Sequence, residues 1–519
     1  MSSLPSFLAA ASGPRGPSHD QRAACRAALA GAVALAVALG VGRFAFTPLL
    51  PLMLAGGELD IRHGGWLASA NYAGYFVGAM TCARIAVDPA RMVRAGLAAT
   101  VLLTFAMGLA SPFWVWALVR FVGGAVSAWT FVFASQWGLR RVVEHGAPAW
   151  GGVIYTGPGI GIVATGLIGF ALAGRHAALG WIGFAAASAV LTAFVWRAFG
   201  AAGAGTDGGQ SRGGAKRAGD GVGVADAAGR AGERLAAGAT GATGAAEGAE
   251  AVADAVSAAN VADTADTANS ANSANSANSA NSANSANSAN SATATAERNS
   301  PVAGVAGQHG AMAAPAARAP HVESAAARRD AFWLVLLYGL PGFGYIITAT
   351  FLPVIARAAL PAHSRWPDLF WPMFGAALIA GALLGARLPS GWDNRLLLGA
   401  CCAVQALGVA LGIVWPTAPG FALGSALVGL PFTAITLFAM REARRLRGER
   451  AAGLMGYATA SYGVGQIAGP LAAAPLAAHA GSFSPALWLA ATMLAVGAAG
   501  FAAVALRAWR AKTRGGGVG

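Results

Sequence analysis

The stretch Leu39-Gly-Val-Gly-Arg-Phe-Ala-Phe-Thr-Pro-Leu-Leu-Pro-Leu-Met53 lies inside an apolar run from Ala28 to Leu54 and carries one guanidinium, that of Arg43. A run of this length is long enough to cross the hydrocarbon layer of a bilayer as a helix. Arginine keeps its proton there, and insertion scales put its cost at the centre of a membrane helix at about 2.5 to 3.5 kcal/mol. A charge held at that cost points to a bundle that uses it.

The rest of the chain agrees with a membrane setting. Hydrophobic residues make up 56% of the 519 and charged residues 11%, well under the roughly one quarter usual in soluble domains. The formal charge of +14 does not point to nucleic acid, because the basic residues sit in short gaps between apolar runs and not on a soluble face with aromatics between them. Cys82, Cys401 and Cys402 lie within apolar segments and Cys25 precedes the first. With no paired metal spacing, they read as small buried hydrophobes and not as ligands or disulfides. No nucleophile–base pair supports an enzyme, and nothing in the pattern calls for a cofactor or a resident metal. The apolar run after Arg15, Arg22 and Arg26 is too long for a signal-peptide core, so a retained first helix is expected.

Apolar runs of about 20 residues fall near 28–54, 64–85, 92–110, 113–139, 149–173 and 179–198, and again near 331–356, 369–388, 396–415, 420–440, 451–477 and 485–506. Assigning alternate gaps to opposite sides gathers nineteen basic residues on one side, among them Arg84, Arg91, Arg140, Arg141, Arg395 and Arg445, against Arg62, Arg175, Arg357 and Arg365 on the other. The bias predicts cytoplasmic termini, and the expected location is a bacterial inner (plasma) membrane. Between the two sets, Gly200 to Arg328 has no aromatic residue, one leucine and eight consecutive Ala-Asn-Ser triplets from Ala268 to Ser291. Such a segment buries too little apolar surface to offset its chain entropy and is expected to be disordered. The expected organisation is a cytoplasmic tail at 1–26, a six-helix bundle at 27–199, the cytoplasmic linker at 200–328, a second bundle at 329–507 and a basic tail at 508–519.

The two sets of six also resemble each other. At a shift of 302 residues Gly40, Gly42, Leu50 and Pro51 fall on Gly342, Gly344, Leu352 and Pro353, and at 303 Gly78 and Arg84 fall on Gly381 and Arg387. At 304, Arg140, Arg141, Gly152, Gly159 and Gly161 fall on Arg444, Arg445, Gly456, Gly463 and Gly465. A nearly constant shift over five spans marks a duplicated unit, and repeats of this kind place substrate where they meet. The expected fold class is an all-α membrane protein of twelve transmembrane helices in two six-helix pseudo-repeat bundles.

Two motifs narrow this further. Gly42-Arg43-Phe44-Ala45-Phe46-Thr47-Pro48-Leu49-Leu50-Pro51, followed by Leu67-Ala68-Ser69-Ala70-Asn71-Tyr72-Ala73-Gly74-Tyr75, closely resembles the YbfB/YjiJ branch of the major facilitator superfamily. The resemblance covers both halves but not the linker. It implies secondary transport by alternating access, without naming a substrate, and a cavity lined by helices 1, 4, 7 and 10. The superfamily's usual loop between helices 2 and 3 is reduced here to Arg84, Asp88 and Arg91, a candidate cytoplasmic charge latch or else a solvated loop. In helix 5, Gly152, Gly157, Pro158, Gly159 and Gly161 look like part of the antiporter motif of drug exporters, although small residues also serve close helix packing.

On the lining helices the polar side chains are the candidates for substrate. Ala36, Gly40, Arg43 and Thr47 fall on one face of helix 1 by the 3.6 period, and Arg120, Gly123, Gly124 and Ser127 on one face of helix 4, with Thr130 beyond. Two arginines in a low-dielectric cavity invite an organic anion, because each planar fork grips a carboxylate with two charge-assisted hydrogen bonds. Alternatively each is tied to main-chain carbonyls as structural support. Tyr345 takes the repeat position of Arg43, with Thr348 one turn on, and Thr433 and Thr436 lie on helix 10. Their hydroxyls bind substrate or serve helix packing. Asn71 and Tyr75, and the bends expected at Pro48, Pro51 and Pro353, suit gating or helix packing. No Asp or Glu is expected deep within a span, so proton coupling would run on the substrate itself, through Glu58 or Asp60 at the mouth, or be replaced by exchange.

Three functions stand open at this level: a monomeric secondary transporter of a small polar or anionic solute, a proton-coupled exporter of amphipathic drugs or metabolites, and a transporter-derived membrane sensor or scaffold in which the linker signals. Deleting residues 205–320 separates the last from the other two. A carrier is expected to keep its uptake rate within about twofold, since long loops shorten at small entropic cost, and loss of function in a transport assay would favour the sensor.

Overall fold

The protein is described by a computed structural model covering residues 19–85, 87–147, 150–200, 325–385, 388–389, 391–448 and 451–515. The expected disordered linker, 200–328, lies outside these residues apart from its two ends. Twelve helical segments follow one another in the described residues. α1 comprises an α-helical His19–Leu35, a π-helical turn Ala36–Val41 and a second α-helical piece Phe46–Ala55. Then come α2 (Ile61–Thr81), α3 (Pro89–Leu109), α4 (Phe113–Glu144), α5 (Gly151–Ile154 and Gly157–Ala171) and α6 (Ala177–Val195). The second set is α7 (Ala325–Ala359), α8 (Phe370–Gly385), α9 (Asn394–Val414), α10 (Ala418–Gly429 and Phe432–Arg447), α11 (Ala451–Ala480) and α12 (Ser484–Gly515). Every expected span is helical, and α7 begins before the expected boundary of the linker. Asp60, Asp88 and Asp393 start α2, α3 and α9 by accepting a backbone N–H of the first turn, as helix-capping carboxylates do.

Among the described residues, ten helices are long and apolar enough to cross a membrane. α2 and α11 have the length but not the apolar character, and their packing explains this, because they face each other. The Ser69 hydroxyl donates to the carbonyl of Ile467 at 2.8 Å, and a Cβ on Gly65 would stand 2.5 Å from that of Ala474. Side chains facing a neighbouring helix are spared lipid and need not be apolar.

Glycines let the backbones meet in equivalent ways in the two halves. A Cβ on Gly40 of α1 would lie 2.4 Å from Cα of Gly161 on α5, and one on Gly465 of α11 would lie 3.1 Å from the carbonyl carbon of Gly342 on α7. Likewise Gly78 of α2 meets Ala125 of α4, and its counterpart Gly381 of α8 meets Leu430 of α10. These contacts use the residues paired by the sequence shifts, so the repeat is one of packing as well as of sequence.

The apolar core shows where the halves join. At the arginine-poor end, a single cluster takes Leu49, Leu50, Met53 and Phe184 from the first half and Phe351, Phe370, Trp371 and Leu487 from the second. At the arginine-rich end, buried apolar residues divide by half: Leu35, Leu97, Phe133 and Phe199 form one cluster, and Leu334, Leu337, Phe438 and Phe501 another. The halves are therefore sealed together at the arginine-poor end and packed separately at the other. Gly161→Leu is expected to force α1 and α5 apart and cost about 1 to 3 kcal/mol or more, read as a lowered melting temperature in detergent. Gly183→Ala, where an added Cβ meets nothing within 4 Å, should leave it unchanged.

Candidate functional site

α1 breaks at mid-length, and its proline explains where. Pro48 has no N–H, and its ring displaces the carbonyl four residues back, that of Phe44. The chain before it widens: the amides of Gly42 and Phe44 reach five residues back, to the carbonyls of Val37 at 3.0 Å and Leu39 at 3.1 Å. This slip corrects the single face expected for Ala36, Gly40, Arg43 and Thr47. Gly40 packs on α5, while the Thr47 hydroxyl donates to the carbonyl of Ala349 on α7 at 3.0 Å and Arg43 reaches α11.

Arg43 is 5% exposed. Its Nη2 donates to Oε1 of Gln466 at 2.8 Å, and the Gln466 amide nitrogen donates in turn to the Tyr345 hydroxyl. The guanidinium lies over the rings of Tyr75, Tyr72 and Phe44, at 4.2, 5.1 and 5.3 Å from their centroids, contacts worth about 0.5 to 2 kcal/mol each when shielded from water. Its Nε has no acceptor among the described residues. The repeat-related positions 43 and 345 thus meet on one amide of α11.

Arg120 is also buried, but it faces the main chain. Nε donates to the Leu67 carbonyl at 3.3 Å and Nη2 to that of Arg43 at 3.5 Å, with Phe46 stacked 4.6 Å away. The Asn71 side chain donates to the Arg120 carbonyl at 2.9 Å, tying α2 to α4. The hydroxyls of Ser127 and Thr130 donate to carbonyls of their own helix, Gly123 at 2.7 Å and Val126 at 2.8 Å. In contrast, the hydroxyls of Thr348 and Thr433 have no partner among the described residues. Tyr345 stacks with Tyr462, which stacks with Tyr338, itself within reach of Thr436, and Phe432 packs edge-on against Tyr345 beside a second break, in α10. Broken helices at mid-depth are where transporters of this build place substrate.

The other candidates fall elsewhere. In α5, Gly157 and Gly161 press on α1 and Gly159 on Ile379 of α8, while Gly152 sits in the short first piece and Pro158 opens the second. Pro48 packs against Gly169, and Pro51 and Pro353 lie inside α1 and α7 near the sealed end. Arg84, Asp88 and Arg91 are exposed. No ion pair joins them among the described residues, and Asp88 caps α3.

The counterpart in the second half is a buried network. Arg395 meets Asp393 at 2.8 Å, Asp330 at 3.4 Å and Glu442 at 3.7 Å, and Glu442 also pairs with Arg445 at 2.6 Å. Glu442, 1% exposed, and Asp368, 7% exposed, are buried acids that lie outside the spans read from the sequence, and Asp368 pairs with Arg357. Both are neutralised at helix ends, away from Arg43.

A family model described as "Uncharacterised MFS-type transporter YbfB" matches residues 35–219 and 286–501. The chain belongs to this family of the major facilitator superfamily. It is a multi-pass membrane protein of the transporter class. None of the curated proteins is similar enough in sequence to count as a relative. Among solved structures, the crystal structure of a mutant of the nucleoside transporter NupG aligns with a TM-score of 0.56 at 12% identity, over 92% of this chain and 99% of that one, a likeness of fold.

Sequence reasoning missed Gln466, Tyr72, Tyr462 and Phe432 in this transporter. An uncharged amide in the middle of a span is the available signal for Gln466. At the arginine-poor mouth, partial burial raises the Glu58 carboxyl, with His176 opposing, while the His63 backbone N–H holds Asp60 below its ordinary value. Both side chains are exposed and stand in the α1–α2 connection, apart from the Arg43 cluster. A Glu58→Gln/Asp60→Asn double variant is expected to keep the pH response of uptake within about twofold. Flattening of that response would assign the proton path to the mouth.

Proposed function

We propose that this transporter carries a small organic anion, with a carboxylate as the recognised group, by alternating access of its two halves around Arg43. The observation that supports it is the buried Arg43 guanidinium, which lies between the halves with no carboxylate among the described residues to neutralise it. A cation in that state lowers the energy of an incoming anion far more than it would in water. Arg120 adds positive potential from behind while its own donors stay on main-chain carbonyls. Tyr345 and the unpartnered hydroxyls of Thr348 and Thr433 offer hydrogen bonds to the rest of the solute.

The same reading extends to orientation and coupling. The arginine-rich end is cytoplasmic by the positive-inside rule, with both termini on that side of the inner membrane, so the seal at the other end faces outward. With both buried acids already paired, a proton enters on the substrate or is replaced by exchange. The glycines of α5, offered by the exporter reading as a motif, are engaged in contacts with α1 and α8. The carrier functions as a monomer with the lipid bilayer and the solute as its partners.

The test is a thermal-stability screen of the purified chain against carboxylates, nucleosides and cationic amphiphiles. Carboxylates are expected to stabilise it. Arg43→Ala is expected to weaken their binding more than a hundredfold, since truncating one partner of a buried charged pair costs about 2 to 5 kcal/mol, and Arg120→Ala less than tenfold. Stabilisation by neutral or cationic amphiphiles alone would hand the assignment to the exporter.

A further inference from the structure

The guanidinium of Arg43 is half used. Its Nε and Nη2 lie along one edge of the planar group, spaced to meet the two oxygens of a carboxylate. Gln466 offers one oxygen, which Nη2 takes at 2.8 Å, and Nε beside it is buried with no acceptor among the described residues. The amide has no further oxygen to give, and its nitrogen is engaged with the Tyr345 hydroxyl. Three aromatic rings lie against the guanidinium, which leaves its edge as the place where polar recognition is unfinished.

We infer that Gln466 is the specificity-determining residue of the site: a neutral, one-oxygen partner that holds Arg43 until a two-oxygen carboxylate displaces it and takes both Nε and Nη2. The inference rests on the proposed anion carrier and adds how that carrier selects. A glutamate at this position would cancel the charge for good and fill both donors, closing the site to anions. A hydrocarbon would remove the acceptor from the Nε–Nη2 edge. An amide satisfies part of the cation while keeping the net charge available, so a carboxylate is favoured over the matching carboxamide, which brings one oxygen and no charge.

The exchange also acts on the join between the halves. Gln466 stands on α11 and bonds both Arg43 of α1 and Tyr345 of α7, so displacing its oxygen removes the side-chain hydrogen bond from Arg43 to the opposite half. The ties from Thr47 to Ala349, from Ser69 to Ile467 and between Tyr72 and Thr350 are not exchanged. A carboxylate seated on Arg43 that also reaches Tyr345 restores the link through itself.

The experiment measures affinity on the full chain in detergent for benzoate, lactate and succinate, each beside its amide, in the wild type and in Gln466→Glu and Gln466→Leu. At least one acid is expected to bind the wild type and its amide to bind at least tenfold more weakly. Gln466→Glu should lose the acid more than a hundredfold while eluting as a single species with an undiminished melting temperature. Gln466→Leu should bind it about tenfold more tightly, because no hydrogen bond to the cation must be broken first. A merely structural glutamine would predict weakening in both variants. Wild-type affinity in Gln466→Glu, or loss in Gln466→Leu, overturns the inference and leaves the Arg43 reading standing, and the Leu variant decides alone if the Glu variant does not fold. Failure of all three acids on the wild type overturns both.

Discussion

A buried guanidinium with no acidic partner among the described residues is the constraint from which the centre of this protein follows. The effective penalty for taking such an ion out of water is several kcal/mol, and here it is offset without cancelling the charge. Tyr72, Tyr75 and Phe44 supply ring faces, and Gln466 supplies an oxygen. Placing the guanidinium among these groups requires the break in α1, because a straight helix through Pro48 would keep Arg43 on the face of Gly40, against α5. The broken backbone is itself tolerated at this depth because its carbonyls are buried in protein and find donors, that of Arg43 from Arg120.

Around this centre the two halves divide their labour by side-chain size and polarity. Glycine-to-backbone contacts within each half, Gly40 on Gly161 and Gly465 on Gly342, supply the dispersion contacts that drive helix association in lipid, where no hydrophobic gain is available. Between the halves the apolar seal is confined to the arginine-poor end, and the more polar helices α2 and α11 face each other. An arrangement joined at one end and separately packed at the other suits rocking of one rigid half against its partner.

Duplication has not kept the halves alike at their charged ends. Arg395 gathers Asp330, Asp393 and Glu442, binding the starts of α7 and α9 to the end of α10, whereas Arg84, Asp88 and Arg91 remain exposed. Asp393 is partly buried, which pushes its carboxyl up, but hydrogen bonds from Arg395 outweigh this and hold it below the usual carboxylate range. All three acids of the network lie outside the apolar runs read from the sequence, so the burial of Glu442 depends on neighbouring helices and not on the local run of residues.

Helix count, the two halves and the family were legible in the linear chain, because hydropathy over about 20 residues, arginine asymmetry and the two motifs around Arg43 and Asn71 are local properties. Arg43 was legible for the same reason, as a charge that the surrounding run cannot accommodate alone. What that charge meets was not. Gln466 is 423 residues away, its amide carries no charge to draw notice, and the slip of the π-helical turn sends neighbours on one predicted face toward three different helices. Arg43 and Arg120 looked equivalent as sequence. Only tertiary packing distinguished them, by laying carbonyl oxygens against both Nε and Nη2 of Arg120 and leaving Nε of Arg43 without an acceptor among the described residues.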